Sequence, residues 1–297
     1  MSDLAGIFPA TVTAFDRDGA FGPMAMRRII RHQLNAGVHG LYVCGGTGEG
    51  LLLTTDEHRA VAETTVDEVA GSVPVISHVG AFQTAETLTR ARDAVAVGVD
   101  AVAALPPAYF YKPDDEGLLQ HYSTLAEAAS PLPLLIYNIP QRTGVAMTPD
   151  LYRRMLEIEN VVGMKDSTGD VYSVGQFVSQ CPDAVVFGGA DSVLLGTLLA
   201  GAHGGIGLSY NLVPEWFVAL WDAVRAGDMD AAATEQNRIN ACIAAVSVVE
   251  VVAAAKQTMA WMGLECGLPR TPIRSLDEGE QNKLRSALDA IEFFEEV

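Results

Sequence analysis

Short apolar runs alternate with amphipathic stretches along most of this chain. The runs span residues 6–15, 39–46, 73–80, 99–106, 132–139, 161–166, 184–189 and 204–209. Each is short, apolar and bounded by turn-forming residues, the pattern of a buried strand. Between them, apolar positions recur at helical spacing with start and stop signals in place. The stretch 24–36 stops at Gly37, and 84–97 stops at Gly98. Thr55-Asp56-Glu57 opens a helix that closes at Gly71, and 114–129 halts before Pro131. Thr148 caps 150–157, with Pro149 at the first helical position. Stretches 170–180, 192–200 and 214–226 complete the series.

Eight strand–helix alternations at roughly 25–35-residue spacing predict one α/β fold, a (β/α)8 TIM barrel, over residues 1–226. A doubly wound sheet normally uses fewer strands per domain. After Gly227 the strand pattern stops. Residues 228–255, 256–263 and 277–296 read as helices, giving a C-terminal helical extension over 227–297 with 263–276 as its connector.

Charge and composition narrow the function. A net charge of −18 argues against a nucleic-acid partner, which needs clustered Lys and Arg. Apolar residues make up 49% of the chain, enough for a large core, yet no run approaches the ~18 apolar residues of a membrane span. The first residues lack the basic and apolar regions of a signal peptide, so the expected location is cytoplasmic, away from membranes. Cys44, Cys181, Cys242 and Cys266 form no CxxC, and the six histidines show no ligand spacing. Reduced thiols and no metal are the expectation.

The barrel reading directs attention to the carboxyl ends of the strands, where such folds place their chemistry. Of four lysines, Lys112, Lys256 and Lys283 stand in ordinary polar or helical surroundings. Lys165 ends the apolar run Val161-Val162-Gly163-Met164 and precedes the turn Asp166-Ser167-Thr168-Gly169-Asp170. A lysine with its stem buried and its amine at a mouth is desolvated, which favours the free amine that attacks carbonyls. Tyr137 ends the neighbouring strand, where its phenol can pass protons to that amine. Gly45-Gly46-Thr47-Gly48-Glu49-Gly50 matches neither GxGxxG nor a P-loop. It reads either as a tight strand-to-helix turn or as a nest of N–H groups which, with the Thr47 hydroxyl, suits a carboxylate. Arg142, just past Tyr137, reads either as a surface ion-pair residue or as a clamp that meets a second carboxylate bidentately. Asp191 reads as the cap of the following helix, and Glu49 as an orienting or interface carboxylate.

Taken together, Gly45-Gly46-Thr47-Gly48-Glu49, Tyr137-Asn138-Ile139-Pro140, 163–170 and Gly204-Gly205-Ile206-Gly207 resemble the dihydrodipicolinate synthase and N-acetylneuraminate lyase superfamily of class I aldolases. The resemblance covers essentially the whole chain. It implies a Schiff base between Lys165 and the ketone of pyruvate or another 2-keto acid, with Tyr137 relaying protons. Thr47, with Gly46 and Gly48 in its loop, is implied to bind the keto-acid carboxylate. Tyr109, Arg142, Ser167, and the carbonyls of Gly189 and Ile206 are implied as further substrate contacts. No cofactor and a homotetramer are also implied.

Departures from the family pattern bear on substrate. The synthases place a hydroxyl residue where Gly46 stands, and their intersubunit tyrosine falls within Tyr109-Phe110-Tyr111. Ser192 and Leu208 occupy the places where sialate lyases carry a glutamate and a serine for the sugar chain, which disfavours sialate. Arg142 matches the synthases, where it meets the aldehyde partner. The expected activity is a lyase acting on pyruvate or 2-keto-3-deoxy acids, by aldol cleavage, condensation or dehydration. A true synthase joining pyruvate to aspartate semialdehyde is an alternative. A non-catalytic 2-keto-acid sensor is another, against which the intact Lys165, Tyr137 and Thr47 set argues.

Overall fold

The computed structural model describes residues 4–108 and 112–296. Eight parallel strands run in chain order: β1 (Gly6–Pro9), β2 (Leu41–Val43), β3 (Val75–His78), β4 (Ala101–Ala104), β5 (Leu134–Asn138), β6 (Val161–Asp166), β7 (Val185–Gly188) and β8 (Gly204–Gly207). From β2 to β8 each strand pairs with the next, and β8 pairs with β1. A parallel bridge between Ala10 and Tyr42 joins β1 to β2, with the Thr11 N–H donating to the Tyr42 carbonyl at 2.9 Å. The sheet therefore curls into the predicted barrel.

Side chains alternate across these strands as a pleat requires. Phe8, Tyr42, Ile76, Ala101, Ala103, Leu135, Val185, Phe187 and Ile206 point inward and fill the barrel. Ile7, Leu41, Val43, Val102, Ile136 and Val186 point outward into the larger core beneath the helices. Those helices are α1 (Pro23–Asn35), α2 (Thr55–Val69), α3 (Thr84–Val97), α4 (Asp115–Ala129), α5 (Pro140–Thr143), α6 (Pro149–Met155), α7 (Val171–Gln180), α8 (Leu194–Leu199) and α9 (Pro214–Ala226). Thr148 and Asp170 cap α6 and α7 through their side-chain oxygens, and Asp114 does so for α4. Gly98 closes α3 in the left-handed conformation at φ 84°.

Two expectations need correction. The first strand stops at Pro9 and not at Phe15, because the chain leaves the ladder there. The Val12 N–H donates to the Asn211 side chain at 3.0 Å, and the Phe15 N–H to the Cys266 carbonyl at 3.0 Å. The extension is also divided differently. Its first helix ends as α10 (Met229–Val246), and the next begins as α11 (Val251–Trp261), bent from it by 105°. Glu250 makes the break by accepting the Ala253 N–H at 2.7 Å as an N-cap. After α11 come α12 (Glu278–Asp289) and α13 (Phe293–Glu296). No single described helix is long and apolar enough to cross a membrane.

Candidate active site

The carboxyl ends of the strands enclose a cavity of about 270 Å³. Thr47, Tyr137, Lys165, Gly189 and Ile206, all anticipated from sequence, line it together. Asp191, Ser192, Leu208 and Ser209 line it too, and Ile243, Val246, Ser247 and Val251 close it from the helical extension. Two larger hollows, of about 530 and 400 Å³, lie at the other end of the barrel, beside the residues that lead into β3 through β6.

Lys165 and Tyr137 are register partners across β5 and β6, so both side chains point the same way, into the barrel. Lys165 is only 4% exposed. Its Nζ lies 4.4 Å from the ring centre of Tyr137 and 4.5 Å from that of Tyr42. Tyr42, from β2, was missed in the sequence. A three-residue strand of Leu, Tyr and Val does not show which residue faces inward. Edge-on contacts of 5.8 and 6.3 Å pack Tyr137 against His78 and Tyr42. His78 accepts the Leu105 N–H on Nε2 at 3.2 Å, which leaves the proton on Nδ1. Burial, aided by the nearby charge of Lys165, lowers its pKa to about 3, so the ring is neutral at physiological pH. His58 lies against the His78 carbonyl through Nε2 at 2.7 Å, and burial lowers its pKa to about 4.

The approach of Lys165 to the cavity depends on a bare backbone at Gly189. A Cβ there would sit 2.0 Å from Ser167 Oγ and 3.0 Å from Lys165 Cε. Ser167 does not line the cavity. Its hydroxyl donates to the Gly189 carbonyl at 3.2 Å and so braces the wall from behind. Asp166 accepts Asn138 Nδ2 at 2.6 Å and the Thr168 N–H at 3.0 Å, tying the ends of β5 and β6 together.

The Gly45–Gly50 segment presents Thr47 to the cavity, while Gly48 is buried and Gly46 is exposed and off the lining. The segment is pinned from three sides. Thr13 Oγ1 donates to the Gly48 carbonyl at 2.6 Å. The buried Arg90 guanidinium donates to the carbonyls of Gly50 and Leu53 at 3.1 and 2.9 Å. Glu49, in the left-handed conformation at φ 55°, forms a 2.6 Å ion pair with Lys256 and accepts the Arg270 N–H at 2.6 Å. Glu49 is thus an orienting carboxylate within the chain. Lys256 is not an ordinary helical lysine: at 1% exposure it is buried more deeply than Lys165. Nothing local on its helix marks it, because its partner belongs to the loop after β2.

Asp191 differs from its expected role. It opens a short 3-10 turn, Asp191–Val193, ahead of α8, and its carboxylate crosses to accept the Ser209 N–H at 2.8 Å in the loop after β8. Enclosure raises its pKa, opposed by the Ser209 hydrogen bonds and the charge of Lys165. A Cβ at Gly207 would lie 1.8 Å from Asp191 Oδ1, so that glycine is required for the carboxylate to reach across. From α10, Gln236 Nε2 donates to the Asp191 carbonyl at 3.1 Å and fixes the turn. Arg142 sits exposed on α5 and does not line the cavity. Tyr109 and Tyr111 lie outside the described residues. Among the described residues, no three His, Cys, Asp or Glu side chains gather as a metal-binding set.

The chain matches the dihydrodipicolinate synthetase family model over residues 3–291. It is 35% identical over 287 residues to an uncharacterized DapA-like lyase of Halobacterium salinarum, covering 97% of this chain and 92% of that one. It is 32% identical over 278 residues to the N-acetylneuraminate lyase of Escherichia coli, covering 93% of each. Among solved structures it is similar to the wild-type sialic acid aldolase of Ruminococcus gnavus, with a TM-score of 0.94, 30% identity and 99% of both chains covered.

Proposed function

From the premise that the chain belongs to the dihydrodipicolinate synthetase family of class I lyases, we propose that Lys165 forms an imine with the ketone of a 2-keto acid. The observation that carries this reading is the convergence of a buried lysine amine, a phenol and a hydroxyl on one cavity. Lys165 Nζ attacks the ketone carbon, and loss of water leaves an iminium that accepts the electron pair of the bond between the α and β carbons, giving an enamine. Tyr137 moves the protons that this addition and elimination require. Thr47 and the backbone N–H groups around it bind the keto-acid carboxylate. The family likeness also supports a homotetramer.

The far wall indicates the rest of the substrate. Asp191, Ser192, Ser209 and Ser247 face it with hydroxyls and one carboxylate, beside the apolar Leu208, Ile243 and Val246. Apart from Lys165, no described Lys or Arg lines the cavity. Such a wall matches a hydroxylated chain better than a second carboxylate. We therefore favour aldol cleavage or formation of a 2-keto-3-deoxy sugar acid over condensation of pyruvate with aspartate semialdehyde. A screen of both substrate classes tests this, together with Arg142→Ala. On the sugar-acid reading, Arg142→Ala leaves the KM of the best substrate within about threefold. On the synthase reading, loss of a charged hydrogen bond raises it about ten- to a hundredfold.

A further inference from the structure

We propose that the ring of Tyr42 is a positioning residue that holds the positive charge of Lys165 in place through imine formation. The proposal rests on Lys165 being the imine-forming lysine. A buried ammonium needs a partner, and the usual one is a carboxylate. Among the described residues, none lies within 4.0 Å of Lys165 Nζ, and that nitrogen makes no hydrogen bond. Its close neighbours are instead two aromatic faces, Tyr42 at 4.5 Å and Tyr137 at 4.4 Å. Aromatic faces attract cations, most strongly where water is excluded.

Tyr42 serves this purpose by its ring and not by its hydroxyl. The residue is fully buried, and its Oη has no hydrogen-bond partner. Tyr137 lines the cavity, whereas Tyr42 does not, so Tyr42 meets the nitrogen from the barrel interior. The other titratable groups around Lys165 are His78 from β3, Tyr137 from β5 and Asp191 after β7. Asp166 follows it on its own strand, with its carboxylate engaged by Asn138 and Thr168.

The chemistry keeps a cation at this place. The lysine ammonium and the ketone give an iminium and water. A carbon–nitrogen double bond forms, the carbon–oxygen bond breaks, and two nitrogen protons leave with the oxygen as water. One positive charge stands on the nitrogen before and after the reaction. The ring that attracts the ammonium also attracts the iminium.

The test is to place phenylalanine and its 4-fluoro, 3,5-difluoro and 3,4,5-trifluoro derivatives at position 42. Fluorine weakens the ring's negative face with little change of shape, so folding is preserved. The readout is the pH profile of borohydride trapping at saturating pyruvate, whose alkaline limb marks loss of the iminium proton. The proposal predicts that this limb moves steadily to lower pH with fluorine count, by about 0.4–1.5 pH units in total, because a weaker ring face holds the cation less well than the neutral imine. Tyr42→Leu should lie at or beyond the end of the series. A flat series in a protein whose unmodified form traps pyruvate overturns the role of the ring alone. Absence of trapping in the unmodified protein overturns the imine reading, and this proposal with it.

Discussion

Replacing Lys256 with methionine is expected to lower folding stability by about 3–5 kcal/mol, the loss typical when one member of a buried ion pair is removed. Glu49 and Lys256 are both buried and their charged atoms are 2.6 Å apart, so the surviving carboxylate would keep only the Arg270 N–H as a partner among the described residues. Burial lowers the Lys256 pKa against the opposing pull of Glu49, and the attraction within a buried pair is largely offset by the cost of desolvating both charges. Removing both charges should therefore be milder than removing one. Urea unfolding of Lys256→Met, Glu49→Gln and the double variant provides the comparison. The double variant should recover more than half of the loss. A single variant that loses less than about 1 kcal/mol would mean that the pair is solvated. The same pair joins the helical extension to the loop carrying Thr47, two residues before Glu49, so the variants should also raise the KM for the keto acid.

Tyr137→Phe is expected to keep the fold and slow turnover by about 10²–10⁴, the usual loss for a general acid–base group. The ring remains to pack against Tyr42 and His78, so only the hydroxyl changes. On the proposed mechanism, both proton movements of imine chemistry, onto the departing oxygen and to or from the neighbouring carbon, pass through it. Steady-state kinetics on the best substrate, with thermal unfolding as a control, provide the measurement. Turnover within about threefold of the unmodified protein would assign the tyrosine to packing alone.

Much of this architecture was legible in the chain. The bounds of β6 came out as 161–166 because turn-forming residues flank an apolar run on both sides. Helix α3 was bounded correctly because Gly98 closes it in a conformation that other residues avoid. The first strand was overextended because hydrophobicity reports burial and not ladder pairing. Thr11, Val12 and Thr13 are buried, yet their further bonds leave the ladder, to Gln33 on α1, to the Asn211 side chain and to the Gly48 carbonyl. The break between α10 and α11 was hidden because valines flank it on both sides and no Gly or Pro marks it.

The site divides along the same line. Lys165 and Tyr137 were readable because each ends an apolar strand. Gly189 and Ile206 followed from the family resemblance. The contacts of Tyr42 and Lys256 were not readable, because their partners, Lys165 and Glu49, are distant in sequence. Asp191 looked like a helix cap, and its carboxylate does satisfy a backbone N–H, but that of Ser209 in another loop.

The central claim is that Lys165 is the nucleophile, and reductive trapping tests it most directly. The protein is incubated with pyruvate and borohydride, digested, and its adducts located by mass spectrometry. One modified lysine, Lys165, is expected, with no adduct at that position in Lys165→Arg. An adduct on Lys112, Lys256 or Lys283 instead, or no adduct at saturating pyruvate, would contradict it.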